Sequence, residues 1–169
     1  PDSFTDGGDC FLPERATDRA LELEDAGADI LDIGGESTRP GALPLSVDEE
    51  LRRVIPVIDQ LSKRVSVPVS IDTYKGSVAE AAIDLGAVIV NDISGLSYDP
   101  SLASVVAKHG VPVVLMHNRG RSQQMYREAS YQNIGEEIVT ELRIAIDRAV
   151  NAGISREQIV VDPGLGFAK

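Results

Sequence analysis

The sequence predicts an α/β fold and, within that class, a partial (β/α)8 TIM barrel. Three observations lead there. Over 169 residues, short aliphatic runs alternate with longer amphipathic stretches, the pattern of covered parallel strands separated by helices. Four of the amphipathic stretches stop at a glycine (Gly27, Gly86, Gly110 and Gly153) just ahead of an aliphatic run, as helices with a left-handed C-terminal residue do. Each aliphatic run then delivers a polar residue at its C-terminal end: Asp32, Asp72, Asn91, His117 and Asp162.

Residues 1–12 read as a loop, with Asp6-Gly7-Gly8 as its turn signal. An acidic helix follows over 13–26, with Ala16, Ala20, Leu21 and Leu23 available to its inner face, and feeds a strand at 29–33. Ser46 and Glu49 have capping-box spacing, and Leu51, Val54, Ile55, Ile58 and Leu61 continue at helical period. That places a helix over 47–64, with a kink at Pro56, which brings no N–H. A strand over 67–71 ends at Asp72-Thr73. Val78, Ala81, Ala82 and Leu85 line the next helix, and the strand at 88–90 ends at Asn91-Asp92. Asp99-Pro100 supplies an N-cap and a first-turn proline to a helix carrying Leu102, Val105 and Val106 inward. The strand at 111–116 ends at His117. Beyond a polar loop at 118–132, longer than most connections, Ile134, Ile138, Leu142, Ala145 and Ala149 mark a helix over 134–152. A last strand at 159–161 delivers Asp162-Pro163-Gly164.

Such strands fit either a doubly wound open sheet or a sector of a barrel that needs about 250 residues when whole. In an open sheet the chemistry gathers near one switch point, whereas in a barrel every strand end joins one ring. A polar residue after every strand selects the barrel, of which this length is a piece. The opening at Pro1 inside a polar loop, and the stop at Lys169 after a Gly-rich strand end, carry the same expectation.

Composition removes several function classes. A net charge of −11 argues against a nucleic-acid partner, because phosphate neutralisation needs a basic face. It leaves room for a small anion held by local arginines. The apolar runs fall short of the roughly 18 residues of a membrane helix. The single cysteine, Cys10, has no internal disulfide partner, which suits a reducing, cytoplasmic compartment. With no histidine beside it, it is a poor nucleophile candidate. There is no P-loop, and Gly164-Leu165-Gly166 is only part of a dinucleotide fingerprint. His109 and His117 do not build a metal centre, but Mg²⁺ held by water and substrate phosphates needs none.

The ring itself suggests a ligand. Asp72 and Asp162 bring carboxylates and Asn91 an amide to a mouth walled by aliphatic residues. A buried carboxylate must meet a donor. A guanidine-like edge, as in a pterin or guanine, would satisfy both acids and use both ends of the amide. The alternative has each aspartate capping the helix that follows it. The stretch Asp32-Ile33-Gly34-Gly35-Glu36-Ser37-Thr38-Arg39-Pro40-Gly41 offers glycines for close backbone approach and an arginine for an anion. Its alternative is a turn closed by a Glu36–Arg39 salt bridge.

Several separated blocks resemble the dihydropteroate synthases. They are Pro1-Asp2-Ser3-Phe4-Thr5-Asp6-Gly7-Gly8, the stretch 32–41, Ser70-Ile71-Asp72-Thr73-Tyr74-Lys75, Asn91-Asp92-Ile93-Ser94-Gly95, Met116-His117, and Asp162-Pro163-Gly164-Leu165-Gly166-Phe167. They occur in that family's order and cover the whole chain. The resemblance implies a pterin-binding domain over 1–169, holding strands two to six of the barrel. It implies a transferase of folate biosynthesis and sulfonamide target that joins 6-hydroxymethyl-7,8-dihydropterin diphosphate to p-aminobenzoate, with Mg²⁺. Asp72, Asn91 and Asp162 would bind the pterin, with Met116 as a wall and Phe167 among the substrate-binding residues. Thr38 and Arg39 would meet the diphosphate and shape the p-aminobenzoate site. Phe4 and Asp6 would belong to a loop ordering over it, with Asp6 stabilising developing positive charge. The family's metal-binding asparagine would precede Pro1, so the chain itself holds no metal ligand. Its seventh-strand lysine and eighth-strand Arg-x-His anion site would also fall outside. The resemblance further implies a homodimer when full length and an inactive fragment alone. Methyltetrahydrofolate-dependent methyltransferases of the same superfamily, or a non-catalytic pterin-binding barrel, are the alternatives.

Overall fold

The computed structural model describes residues 13–38, 42–120, 129–167 and 169. Strands β1 (Leu31–Gly34), β2 (Val69–Asp72), β3 (Ile89–Asp92), β4 (Val113–Met116) and β5 (Ile159–Asp162) form one parallel sheet in the order β1-β2-β3-β4-β5. An order without reversal has no switch point, so the doubly wound alternative is excluded. Right-handed crossovers between successive neighbours put every helix on the same face, as in a barrel wall. Among the described residues, β1 and β5 are the edges.

The helices are α1 (Pro13–Asp25), α2 (Val47–Leu61), α3 (Gly76–Asp84), α4 (Pro100–His109) and α5 (Ile134–Asn151), with a 3₁₀ turn at Arg156–Gln158. The local signals act as their chemistry dictates. Ser46 Oγ accepts the Glu49 N–H, and Asp99 accepts the Ser101 N–H at the start of α4. The four glycines that close helices all have positive φ, from 64° to 114°. Pro56 lies on the exposed side of α2, which runs continuously from Val47 to Leu61.

Alternation along the strands sorts their residues into two faces. Leu31, Val69, Ile71, Val90, Val113 and Leu115 point towards the helices and form the core with Val54, Ile58, Leu61, Val78, Leu102 and Val106. Asp32, Ser70, Asp72, Asn91, Val114, Met116, Val160 and Asp162 stand side by side on the other face.

Three expectations are corrected. All strands but β5 begin later, and all but β4 run further than the aliphatic runs suggest, so that Asp72, Asn91 and Asp162 are members of the ladder. Their side-chain directions are therefore set by the pleat. Leu23 and Ile134, assigned inward, are 39% and 44% exposed. In α1 the buried place goes to Thr17, whose hydroxyl donates to the Pro13 carbonyl and so arrives satisfied. The inner face of α2 includes Glu50, which is 1% exposed.

Candidate functional site

Of the residues singled out from sequence, Asp72, Asn91, Met116 and Asp162 come together at the C-terminal ends of adjacent strands, all on the face opposite the helices. Asp72 and Asn91 are in direct register, as are Met116 and Asp162. Thr38 lies half-buried on the β1–α2 connection. Phe167 lies beyond β5, its N–H donating to the Gly164 carbonyl at 3.0 Å. Phe4, Asp6 and Arg39 lie outside the described residues.

The ring members are not alike. Asn91 Nδ2 donates to Asp32 Oδ2 at 2.9 Å, so Asp32 belongs to the site. Its signal in the sequence is the same strand-end position that marks Asp72 and Asp162. Asp162 Oδ1 accepts the Gly164 N–H at 2.7 Å, which closes a local turn and caps no helix among the described residues. Asp72 does not cap α3: Lys75 at the N-cap position makes no side-chain cap, and the Gly76 N–H goes to Asp99 Oδ2 at 2.8 Å. Among the described residues no group donates to its carboxyl. Burial first, then the nearby acids Asp32, Glu50, Asp92 and Glu36, hold that carboxyl well above the usual carboxylate range. Gly34 leaves the room it occupies, since a Cβ there would stand 3.3 Å from Asp72 Oδ2. A crowded acid that no cation among the described residues meets is a receptor for a donor-rich ligand edge.

Two neighbouring networks brace the ring. Arg39, the partner in the alternative Glu36–Arg39 closure, lies outside the described residues, and both Glu36 oxygens have other partners. Oε1 accepts the Tyr74 hydroxyl, and Oε2 accepts Lys75 Nζ and the Leu45 N–H. Lys75 also reaches the buried Glu50, whose other oxygen accepts the Thr73 hydroxyl at 2.7 Å. Glu50 had a signal in sequence, an acid four residues before Val54 on the apolar stripe of α2. Lys75 had none beyond its place in a motif.

At the end of β4, His117 is 4% exposed and its Nε2 lies 2.9 Å from Glu141 Oε2 in α5. Glu141 and Glu137 also hold Arg119, which lies over the Tyr131 ring at 4.1 Å. Burial holds the imidazole below its usual value against the pull of Glu141. These contacts make His117 a structural tie between β4 and α5. Beside it a cavity of about 180 Å³ opens between Ser94, Gly95, Met116, His117 and α5. Asp92, on the helix side of β3, accepts the Ser94 and Leu96 N–H groups and shapes the turn that borders this cavity.

Comparison with known proteins agrees with this geometry. The family model of pterin binding enzymes matches residues 1–169. The dihydropteroate synthase of Bacillus subtilis is 50% identical over 169 residues, all of this chain and 57% of that protein. A crystal structure of the Yersinia pestis dihydropteroate synthase with a sulfonamide drug superposes with a TM-score of 0.95 at 41% identity, covering all of this chain and 61% of that one. The Xanthomonas albilineans dihydropteroate synthase, in complex with indole-2-carboxylic acid and 6-chloroguanine, gives a TM-score of 0.85 at 42% identity, covering 99% of this chain and 60% of that one. The chain thus spans about 60% of the length of such relatives. With a family model matched from end to end, and a five-stranded sector of a barrel carrying Asp72, Asn91 and Asp162 on its open face, the chain belongs to the pterin-binding enzyme family.

Proposed function

We propose that the whole protein carrying this chain is a dihydropteroate synthase, condensing 6-hydroxymethyl-7,8-dihydropterin diphosphate with p-aminobenzoate to 7,8-dihydropteroate and pyrophosphate. The observation that carries the reading is Asp72, a carboxyl held in its raised state by burial and like charges with no described donor to relieve it. The 2-amino edge of a pterin supplies such donors. That a relative was solved in complex with 6-chloroguanine, which shares the 2-amino group, supports the assignment. Asp162 and Asn91 would complete the pterin contacts, with Met116 as wall and Phe167 nearby.

The chemistry asks little covalent work of the protein. The bond between the pterin methylene carbon and the diphosphate oxygen breaks, and its electron pair leaves on pyrophosphate. The amine lone pair of p-aminobenzoate forms the new C–N bond, and the nitrogen then gives up a proton. Positioning and electrostatics carry such a displacement, with no protein nucleophile. Thr38 and Arg39 would meet the diphosphate and shape the p-aminobenzoate site. Asp6, with Phe4 on the same loop, would face the positive charge growing on the methylene carbon.

Mg²⁺ belongs to the proposal only as a companion of the diphosphate. Among the described residues no group of three His, Cys, Asp or Glu side chains could hold a metal, so no step is assigned to it. No helix among the described residues is long and apolar enough to cross a membrane. A cytoplasmic homodimer, with residues 1–169 as part of its single pterin-binding domain, completes the reading.

The test is a titration of the whole protein with labelled p-aminobenzoate, with and without pyrophosphate and a pterin. A synthase takes up p-aminobenzoate only when pyrophosphate is present or being formed. Uptake indifferent to pyrophosphate, or none under any condition, overturns the assignment.

A further inference from the structure

The β1–α2 connection is tied down by a side chain to which the reaction assigns no role. Glu36 Oε1 accepts the Tyr74 hydroxyl at 2.8 Å, and Oε2 accepts Lys75 Nζ at 2.5 Å. The same Oε2 accepts the Leu45 N–H at 2.9 Å. Since Leu45 lies at the far end of the connection, one carboxylate gathers both ends of the loop 37–44. Lys75, 8% exposed, continues past Glu36 to Glu50, which is 1% exposed on the inner face of α2. Thr73, one residue beyond β2, donates to the other Glu50 oxygen at 2.7 Å. Arg53 Nη1 donates to the Gly35 carbonyl at 3.1 Å and pins the loop to α2 from the other side. Gly35 must be bare for this approach, because a Cβ would stand 2.9 Å from both Glu50 Cγ and Val54 Cγ1. Loop, strand end and helix therefore meet on one ammonium group.

We propose that Lys75 is a positioning residue: held between Glu36 and Glu50, it fixes where the β1–α2 loop leaves the strand and so where Thr38 is presented to the second substrate. An exposed pair of this kind would hold little. Here all three charges are largely removed from water, and taking away the cation leaves two acids facing each other without a counter-charge. The loop base then opens, while the ring does not, because Asp72, Asn91 and Asp162 are held by the strand ladder. The kinetic consequence rests on the synthase reading; the mechanical one does not.

The experiment compares Lys75→Met, Lys75→Arg and Tyr74→Phe in the whole protein. Hydrogen exchange at the Leu45 amide is expected to speed up on the order of tenfold in Lys75→Met. The KM for p-aminobenzoate is expected to rise on the order of ten- to hundredfold, and that for the pterin diphosphate by a smaller factor, since Thr38 also meets the diphosphate while the strand-held ring keeps the pterin. Lys75→Arg, which keeps the charge, should recover most of the loss, and Tyr74→Phe should shift both readouts slightly in the same direction. If Lys75→Met does not fold, Glu36→Gln takes its place in the same comparison. Unchanged Leu45 exchange overturns the proposal, as does a fall in Tm with no change in the p-aminobenzoate KM. A parent protein without synthase turnover sinks the functional reading instead, and the exchange arm still decides the role of Lys75.

Discussion

Replacing Asp72 with asparagine should make the free protein more stable and its ligand binding worse. The side chain keeps its shape and loses its charge. In the native state, burial and then Asp32, Glu50, Asp92 and Glu36 hold the Asp72 carboxyl well above its usual value of 3.8. The folded protein thus binds that proton more tightly than the unfolded chain does. Its contribution to stability is complete below 3.8 and is lost as the pH rises through the raised native value. Above that native value the ionised group sits among like charges with no donor among the described residues. Asn should therefore add about 1 kcal/mol, a rise of roughly 2–4 °C in Tm. It should also flatten this part of the pH dependence. A ligand N–H group hydrogen-bonded to a carboxylate contributes about 1.5–3 kcal/mol, so pterin affinity should fall roughly ten- to a hundredfold. Thermal unfolding across a pH series and calorimetric titration with a pterin read the two effects. An Asp72→Asn protein less stable than its parent at neutral pH, or one that binds pterin unchanged, would refute the account of this residue.

Three further outcomes follow from the packing around the ring. Glu50→Ala removes the buried acid from Lys75 and the acceptor from Thr73, and should cost about 3–5 kcal/mol in chemical denaturation. Gly35→Ala drives a Cβ to 2.9 Å from Glu50 Cγ and Val54 Cγ1; a loss of about 1–3 kcal/mol is expected, visible as a lower denaturation midpoint with an unchanged slope. The third concerns His117, whose native imidazole is held below its usual 6.5 by burial. The unfolded chain takes up that proton first, so stability is full above 6.5 and declines as the pH falls towards the native value. Thermal unfolding between about pH 7.5 and about pH 5 should show this slope in the parent and a shallower one in His117→Gln.

The alternation of short aliphatic runs with Gly-ended amphipathic stretches sufficed for the α/β class, and polar strand ends at Asp72, Asn91 and Asp162 sufficed for the barrel sector and the core of its ring. Periodicity and caps are local, written within a few residues of the structure they specify. Charge partners are not. Thr73 finds Glu50 across 23 residues, Lys75 finds Glu36 across 39, and Asn91 finds Asp32 across 59. Nothing in local spacing distinguishes a lysine that will be buried between two acids from one that will sit in water. The difference arises only when β2, α2 and the β1–α2 loop exclude solvent from the same small volume. The sequence alone thus brought Asp72, Asn91 and Asp162 to one end of the sheet. Tertiary packing decided that Asp72 stands without a donor among the described residues, that Glu36 and Lys75 hold the loop base, and that His117 is tied to α5.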